Sequence, residues 1–151
     1  MNNNTGFTLI EVLIAMMILA VGLLGLAALQ ASSLRNNQSA YYRSQATQLA
    51  YDIADRMRVN VASAATYTVA DSANVHDSCL AIEGCTPAEM AEHDLYEWNT
   101  AIQSILPSGT GTITGATVAG VSTYKVDINW DDNRDDAVDD NDPSFSMSFR
   151  L

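Results

Sequence analysis

Gly6-Phe7-Thr8-Leu9-Ile10-Glu11-Val12-Leu13-Ile14-Ala15-Met16-Met17-Ile18-Leu19-Ala20-Val21-Gly22-Leu23-Leu24-Gly25-Leu26-Ala27-Ala28-Leu29 is an apolar stretch interrupted by a single acid near its start. About 20 apolar residues in a helix cross a hydrocarbon core about 30 Å thick, so the stretch reads as a membrane span. At the centre of such a helix an acidic side chain costs roughly 2.5 to 3.5 kcal/mol, and a carboxylate kept there needs a partner. A cut between Gly6 and Phe7 would supply one. The new α-amino group of Phe7 would lie close in sequence to Glu11, at the same membrane depth. An ordinary secretory signal peptide fits less well, because it wants a basic leader, an apolar core of about 7 to 15 residues and a small-x-small cleavage site.

The coupling of a short leader ending in Gly6, the opening Phe7-Thr8-Leu9-Ile10-Glu11 and a spanning segment resembles the type IV prepilins. In that family a prepilin peptidase cuts after the glycine and methylates the new phenylalanine amine, and the glutamate recruits subunits into the filament. Carried over, the resemblance makes Gly6 and Phe7 the cleavage junction, Phe7 the N-methylated residue and Glu11 the assembly acid. The leader departs from the pattern in having no Lys or Arg. The stretches Leu34-Arg35-Asn36-Asn37-Gln38-Ser39-Ala40-Tyr41 and Gln48-Leu49-Ala50-Tyr51-Asp52-Ile53-Ala54-Asp55-Arg56-Met57-Arg58 are similar to the PilV family of minor pilins, the type IV pilus modification proteins. A weaker likeness runs from Glu97-Trp98-Asn99 to Leu106-Pro107.

That resemblance implies an α+β, type IV pilin-like fold: a long N-terminal helix, transmembrane then amphipathic, packed on a small antiparallel β-sheet. It divides the chain into a leader at 1–6, a transmembrane half at 7–30, an amphipathic periplasmic half at 31–58 and a globular head at 59–151. The implied role is a minor pilin that joins other minor pilins to prime or cap the pilus. A type II secretion pseudopilin shares the processing motif and stays open, as does a tip-located binding module that docks an adhesin or ligand. The implied partners are the prepilin peptidase, other minor pilins, the major pilin, the inner-membrane assembly machinery and a tip adhesin. The implied location is a single pass through the inner membrane with a periplasmic head, then the filament at the cell surface.

The residues bear on each part of this reading. The chain has 151 residues and a formal charge of -11, and Glu11 is its only ionisable side chain before Arg35. Nearly all the negative charge therefore lies beyond the span, where it repels phosphate backbones and argues against direct nucleic-acid binding. From Phe7 to about Arg58 no proline interrupts the pattern. A helix of that length is on the order of 78 Å long at 1.5 Å per residue. Tyr42, Ala46, Leu49, Ile53 and Met57 recur at helical spacing and mark the stripe that packs on the head.

Residues from about Asn60 to Ser78 read as a polar linker. Thr86-Pro87-Ala88-Glu89 is a capping-box sequence that opens a second helix, and Pro107-Ser108-Gly109 ends it. Ala91, Leu95, Trp98, Ile102 and Ile105 form its apolar stripe, while Glu92, His93, Asp94 and Glu97 read as a solvated acidic face. Tyr124, Val126, Ile128 and Trp130, and then Phe145, Met147, Phe149 and Leu151, alternate with polar residues as two antiparallel strands do. A third strand is expected around Thr112 to Val118, with Gly115 and Gly120 at bends or turns. Cys79 and Cys85 fall in the part that the resemblance assigns to the periplasm, where such pairs close as disulfides. A metal site with His76 lacks both the spacing and the fourth ligand of zinc sites.

Asp131-Asp132-Asn133-Arg134-Asp135-Asp136-Ala137-Val138-Asp139-Asp140-Asn141-Asp142 separates the last two strands. Asp131, Asn133, Asp135, Asp139 and Asp142 match positions 1, 3, 5, 9 and 12 of a calcium loop, but Asp136 stands where that template has glycine. The segment reads either as a calcium site or as a solvated acidic hairpin loop, and no other cofactor is indicated. No glycine-rich phosphate cradle, Gly-x-Ser-x-Gly turn or His-Glu-x-x-His pair occurs, so no enzyme is expected.

Overall fold

The computed structural model describes residue 6, residues 8–118 and residues 120–151. Most of the leader and Phe7, to which cleavage and N-methylation were assigned, lie outside the described residues. The element order is α1 (Leu9–Val59), four short 3-10 turns (Val61–Ser63, Thr66–Thr68, Ala70–Ser72 and Asp77–Leu80), α2 (Pro87–Ile105), β1 (Thr110–Val118), β2 (Val121–Asn129) and β3 (Ser144–Arg150). The chain forms two compact units, Met1–Ala40 and Tyr41–Leu151, with the division falling inside α1.

The first unit holds α1 as far as Ala40, apolar up to Leu29. An 18-residue window there reaches a mean hydropathy of 2.8 with none of it buried. Leu13, Met16, Leu19, Leu23 and Leu24 all face outward. A helix that is apolar all round and uncovered belongs in lipid or among other helices.

The second unit carries the α+β architecture. Its core begins at Tyr42, and the expected stripe of Tyr42, Ala46, Leu49, Ile53 and Met57 is buried together with Ala50 and Ala54. Small residues at these positions let neighbouring elements approach α1 closely. Trp98 crosses from α2, and its indole N–H donates to the Leu49 carbonyl at 2.9 Å. That carbonyl already belongs to a helix, so the bond fixes where α2 stands along α1 without costing a backbone partner. Ala91, Leu95, Trp98 and Ile102 are buried as the α2 periodicity indicates.

The sheet is antiparallel in the order β1-β2-β3, so β2 is central. Val126 pairs with Ile113 on one side and Met147 on the other. Tyr124, Val126 and Ile128 turn inward from β2, and Trp130 just beyond it is completely buried. Phe149 stacks on Tyr124 with ring centroids 6.0 Å apart, and the Arg58 guanidinium lies 5.2 Å from the Phe149 ring centre.

Two expectations are corrected here. Residues 60–78 are not a polar linker: they wind through successive 3-10 turns and bury Ala64 and Tyr67. A 3-10 turn repeats every three residues, so a single aromatic anchor leaves no long apolar pattern to read. Gly115 is not a bend: it lies inside β1 opposite Tyr124, whose ring carbon would be 3.0 Å from an added Cβ. Gly120, with φ of 79°, does take the left-handed turn between β1 and β2.

Gly111 gives the sharpest test of this packing. A Cβ there would stand 2.4 Å from the Trp98 ring and 2.6 Å from the Ile102 methyl. Overpacking of this kind costs about 1 to 3 kcal/mol. Gly111→Ala is expected to lower the unfolding free energy of the full chain in detergent by that amount, read from denaturant melts.

Candidate functional site

Thr8 and Glu11 open α1. The Glu11 amide donates to the Thr8 carbonyl at 3.1 Å and to Thr8 Oγ1 at 3.3 Å, and the Val12 amide reaches the same carbonyl at 3.4 Å. Thr8 thus caps the helix, satisfying amides that have no partner within it. The Thr-x-x-Glu spacing of Thr8 and Glu11 is the sequence signal of this cap, separate from the charge of Glu11. Its carboxylate sits in the first turn, where the helix dipole favours an anion. No ion-pair partner for it lies among the described residues. Gly6, the residue assigned to cleavage, is exposed and has nothing within 4 Å of where a Cβ would stand.

In the second unit Arg56 is the node of a polar cluster. Its guanidinium donates to Asp52 at 3.1 Å, Asp94 at 2.9 Å and Glu97 at 2.6 Å. The Tyr67 hydroxyl donates to the other oxygen of Asp94. The Asn60 side-chain amide reaches the Pro87 carbonyl at 2.7 Å, tying the end of α1 to the start of α2. Asp94 and His93 are buried, which corrects the reading of that face of α2 as solvated. His93 Nδ1 accepts from the His76 amide at 3.1 Å, and His76 Nε2 lies 2.7 Å from Glu92. An unpaired buried carboxylate would be costly, and Arg56 with Tyr67 removes that cost for Asp94. The phenol of Tyr67 is pushed up by burial and by its bond to Asp94. The carboxyl of Glu97 is held low, first of all by the Arg56 hydrogen bond.

Cys79 and Cys85 are joined in a disulfide with Cα atoms 4.7 Å apart. Directly after it the Thr86 side chain accepts from the Glu89 amide while the Glu89 carboxylate takes the Thr86 amide. That reciprocal capping box holds the Glu89 carboxyl low.

Among the five calcium-template residues, Asp131, Asp135 and Asp142 bring carboxylate oxygens within 4.8 Å of one another. Asp139 stands outside this group and accepts from the Asn141 amide and side chain. Asn133 turns to Asp135, accepting from its amide and donating to its carboxylate. Asp131 is buried and already engaged: one oxygen accepts from the Arg134 and Asp135 amides, and the other from the Asp136 amide at 3.0 Å. Asp142 accepts from the Asp139 and Asp132 amides, and the former bond chiefly keeps its carboxyl low. Asp136 adopts φ of 67°, the left-handed conformation for which the template uses glycine, and Arg134 a φ of 61°. Aspartate tolerates this region better than most residues. The Arg134 guanidinium then reaches the Tyr42 hydroxyl at 3.0 Å, anchoring the loop to α1.

A family model for the prokaryotic N-terminal methylation motif matches residues 1–27, and one described as type IV pilin Tt1218 matches residues 28–96. The chain is a type IV pilin. The two matches abut and cover the apolar part of α1, the 3-10 turns, the disulfide and the first half of α2. The pilin's sheet and acidic loop lie beyond them. Neither the curated proteins nor the solved structures gave a match. As a type IV pilin with a long apolar helix near its N-terminus, the chain is a membrane-anchored pilus subunit.

Two outcomes follow for the pilin head. A carboxyl whose folded pKa is depressed adds stability above its unfolded value, here 4.5, and loses it as pH falls through the folded value. Glu97→Gln should therefore melt below the wild type at neutral pH, with the gap closing on acidification well below 4.5. A gap independent of pH would assign the loss to packing. Asp131→Ala strips the Arg134 and Asp136 amides of their acceptor, while the Asp135 amide keeps Asn133, and should cost about 1 to 3 kcal/mol in the same melts.

Proposed function

We propose that this pilin is a minor subunit that joins other pilins to prime or cap the filament. The observation that carries the reading is the apolar half of α1, uncovered on every side and carrying Glu11 as its one charge next to a capped N-terminus. An uncovered apolar helix needs other helices once it leaves lipid, and its lone carboxylate needs a cation. The Phe7 amine of a neighbouring processed subunit has the right charge and the right depth. The likeness of residues 34–41 and 48–58 to the PilV family supports the minor role.

On this reading the prepilin peptidase cuts after Gly6 and methylates Phe7, residues 59–151 stand in the periplasm, and the mature chain passes into the pilus with the other minor pilins and the major pilin. The role is structural and calls for no cofactor. The acidic loop is organised by its own amides, so calcium should leave the melting temperature of the full chain unchanged. A calcium-specific rise would make the loop an ion site.

Deletion of the chain should reduce surface piliation while leaving exoprotein secretion intact; the reverse pattern would identify a secretion pseudopilin. Glu11→Gln keeps size and removes charge. The variant should reach the membrane and lose its leader as the wild type does, yet fail to restore piliation. Sheared pili containing Glu11→Gln subunits at the wild-type level would overturn the assembly role of this carboxylate.

A further inference from the structure

Within the ring closed by Cys79 and Cys85, two large apolar side chains point into solvent. Leu80 is 74% exposed and Ile82 104%. Neither belongs to the core, and neither lies in the apolar part of α1. The loop that holds them is constrained at both ends. It enters through the 3-10 turn Asp77–Leu80, is braced by the Ala81 amide on Ser78 and the Gly84 amide on Ala81, and leaves into the Thr86 cap of α2. A disulfide that presents apolar residues on a fixed loop lowers the conformational entropy lost when something covers them.

The charge around the loop narrows what that something is. Between Arg58 and Lys125 the chain has seven carboxylates and no Lys or Arg. Glu89, Glu92, Asp94 and Glu97 are engaged within the head. Asp77 and Glu83, which bracket Leu80 and Ile82, are exposed and have no ion pair among the described residues. A complementary surface is therefore apolar at its centre and cationic at its rim. A second copy meeting this loop symmetrically brings the same acids and is repelled, and so is an anionic lipid surface.

We propose that the Cys79–Cys85 loop is a docking knob, with Leu80 and Ile82 entering an apolar socket bordered by Lys or Arg on a different pilin subunit. The proposal rests on the minor-pilin reading, which supplies such a neighbour. Leu80 and Ile82 are the anchors, the disulfide sets their spacing, and Asp77 with Glu83 fixes orientation.

The test places the photo-crosslinker p-benzoylphenylalanine at Ile82 of the full chain in piliated cells. One adduct is expected, with another pilin, through a peptide in which Lys or Arg adjoins apolar residues. The same probe at Gln103, an exposed position on α2, should not give it. Leu80→Ser, and separately Asp77→Lys with Glu83→Lys, should reduce the adduct by about tenfold, the effect of losing a central anchor. Both changes fall on exposed side chains, and an unchanged melting temperature shows that the head is intact. An adduct with a second copy or with lipid overturns the proposal. So does the absence of any adduct when sheared pili contain the probe-bearing chain at the wild-type level. The minor-pilin reading is judged apart from this, by piliation on deletion.

Discussion

Ala46, Ala50 and Ala54 stand four residues apart on α1 and have no exposed surface at all. Because a methyl group is the whole side chain at each, the indole of Trp98 can reach past them to the Leu49 carbonyl, and the sheet and α2 close over the same stripe. The core of the second unit is thus built around a helix that is not confined to it. A two-stranded hairpin alone would be marginal, and the third strand together with packing on helices supplies what the sheet needs. Larger residues on the stripe would push α2 outward and break the Trp98 bond together with the Gly111 contact beneath it.

The polar cluster around Arg56 has a related logic. Asp94 is drawn into the head because the turn that follows α1 brings Tyr67 to one oxygen and α1 itself brings Arg56 to the other. The same arginine holds Glu97 and Asp52, so the four charges partly neutralise one another at the seam between α1 and α2. The seam is specific as well as stable, since a shift of one helical turn would leave Asp94 buried without its cation.

Much of this was legible in the sequence, and the parts that were not share a physical cause. The α1 stripe, the capping box at Thr86, the α2 stripe and the alternation of β2 and β3 were readable because each repeats at the period of its own element. The burial of Tyr67, His93 and Asp94 was not, because their partners come from elsewhere in the chain: Arg56 and Asp94 are 38 residues apart. The acidic loop was legible as a template and misleading as a set. Asp131, Asp135 and Asp142 converge, but Asp139 and Asn133 spend their hydrogen bonds locally, a competition that side-chain spacing does not reveal. The exposure of Leu80 and Ile82 was likewise invisible, since an apolar residue beside a cysteine ordinarily reads as core.

The capped acid at the head of α1 also sets the direction in which the span can slide. Glu11 sits in the first turn, so in a bilayer it lies nearer to one face than to the other. Movement toward that face exposes apolar surface gradually. Movement the other way drags the carboxylate into hydrocarbon, against a barrier of roughly 2.5 to 3.5 kcal/mol at the midplane. A subunit leaving the membrane head first must take the second route. On the proposed assembly role, such a carboxylate would hold the chain at its resting depth until a cation on a neighbouring helix met it.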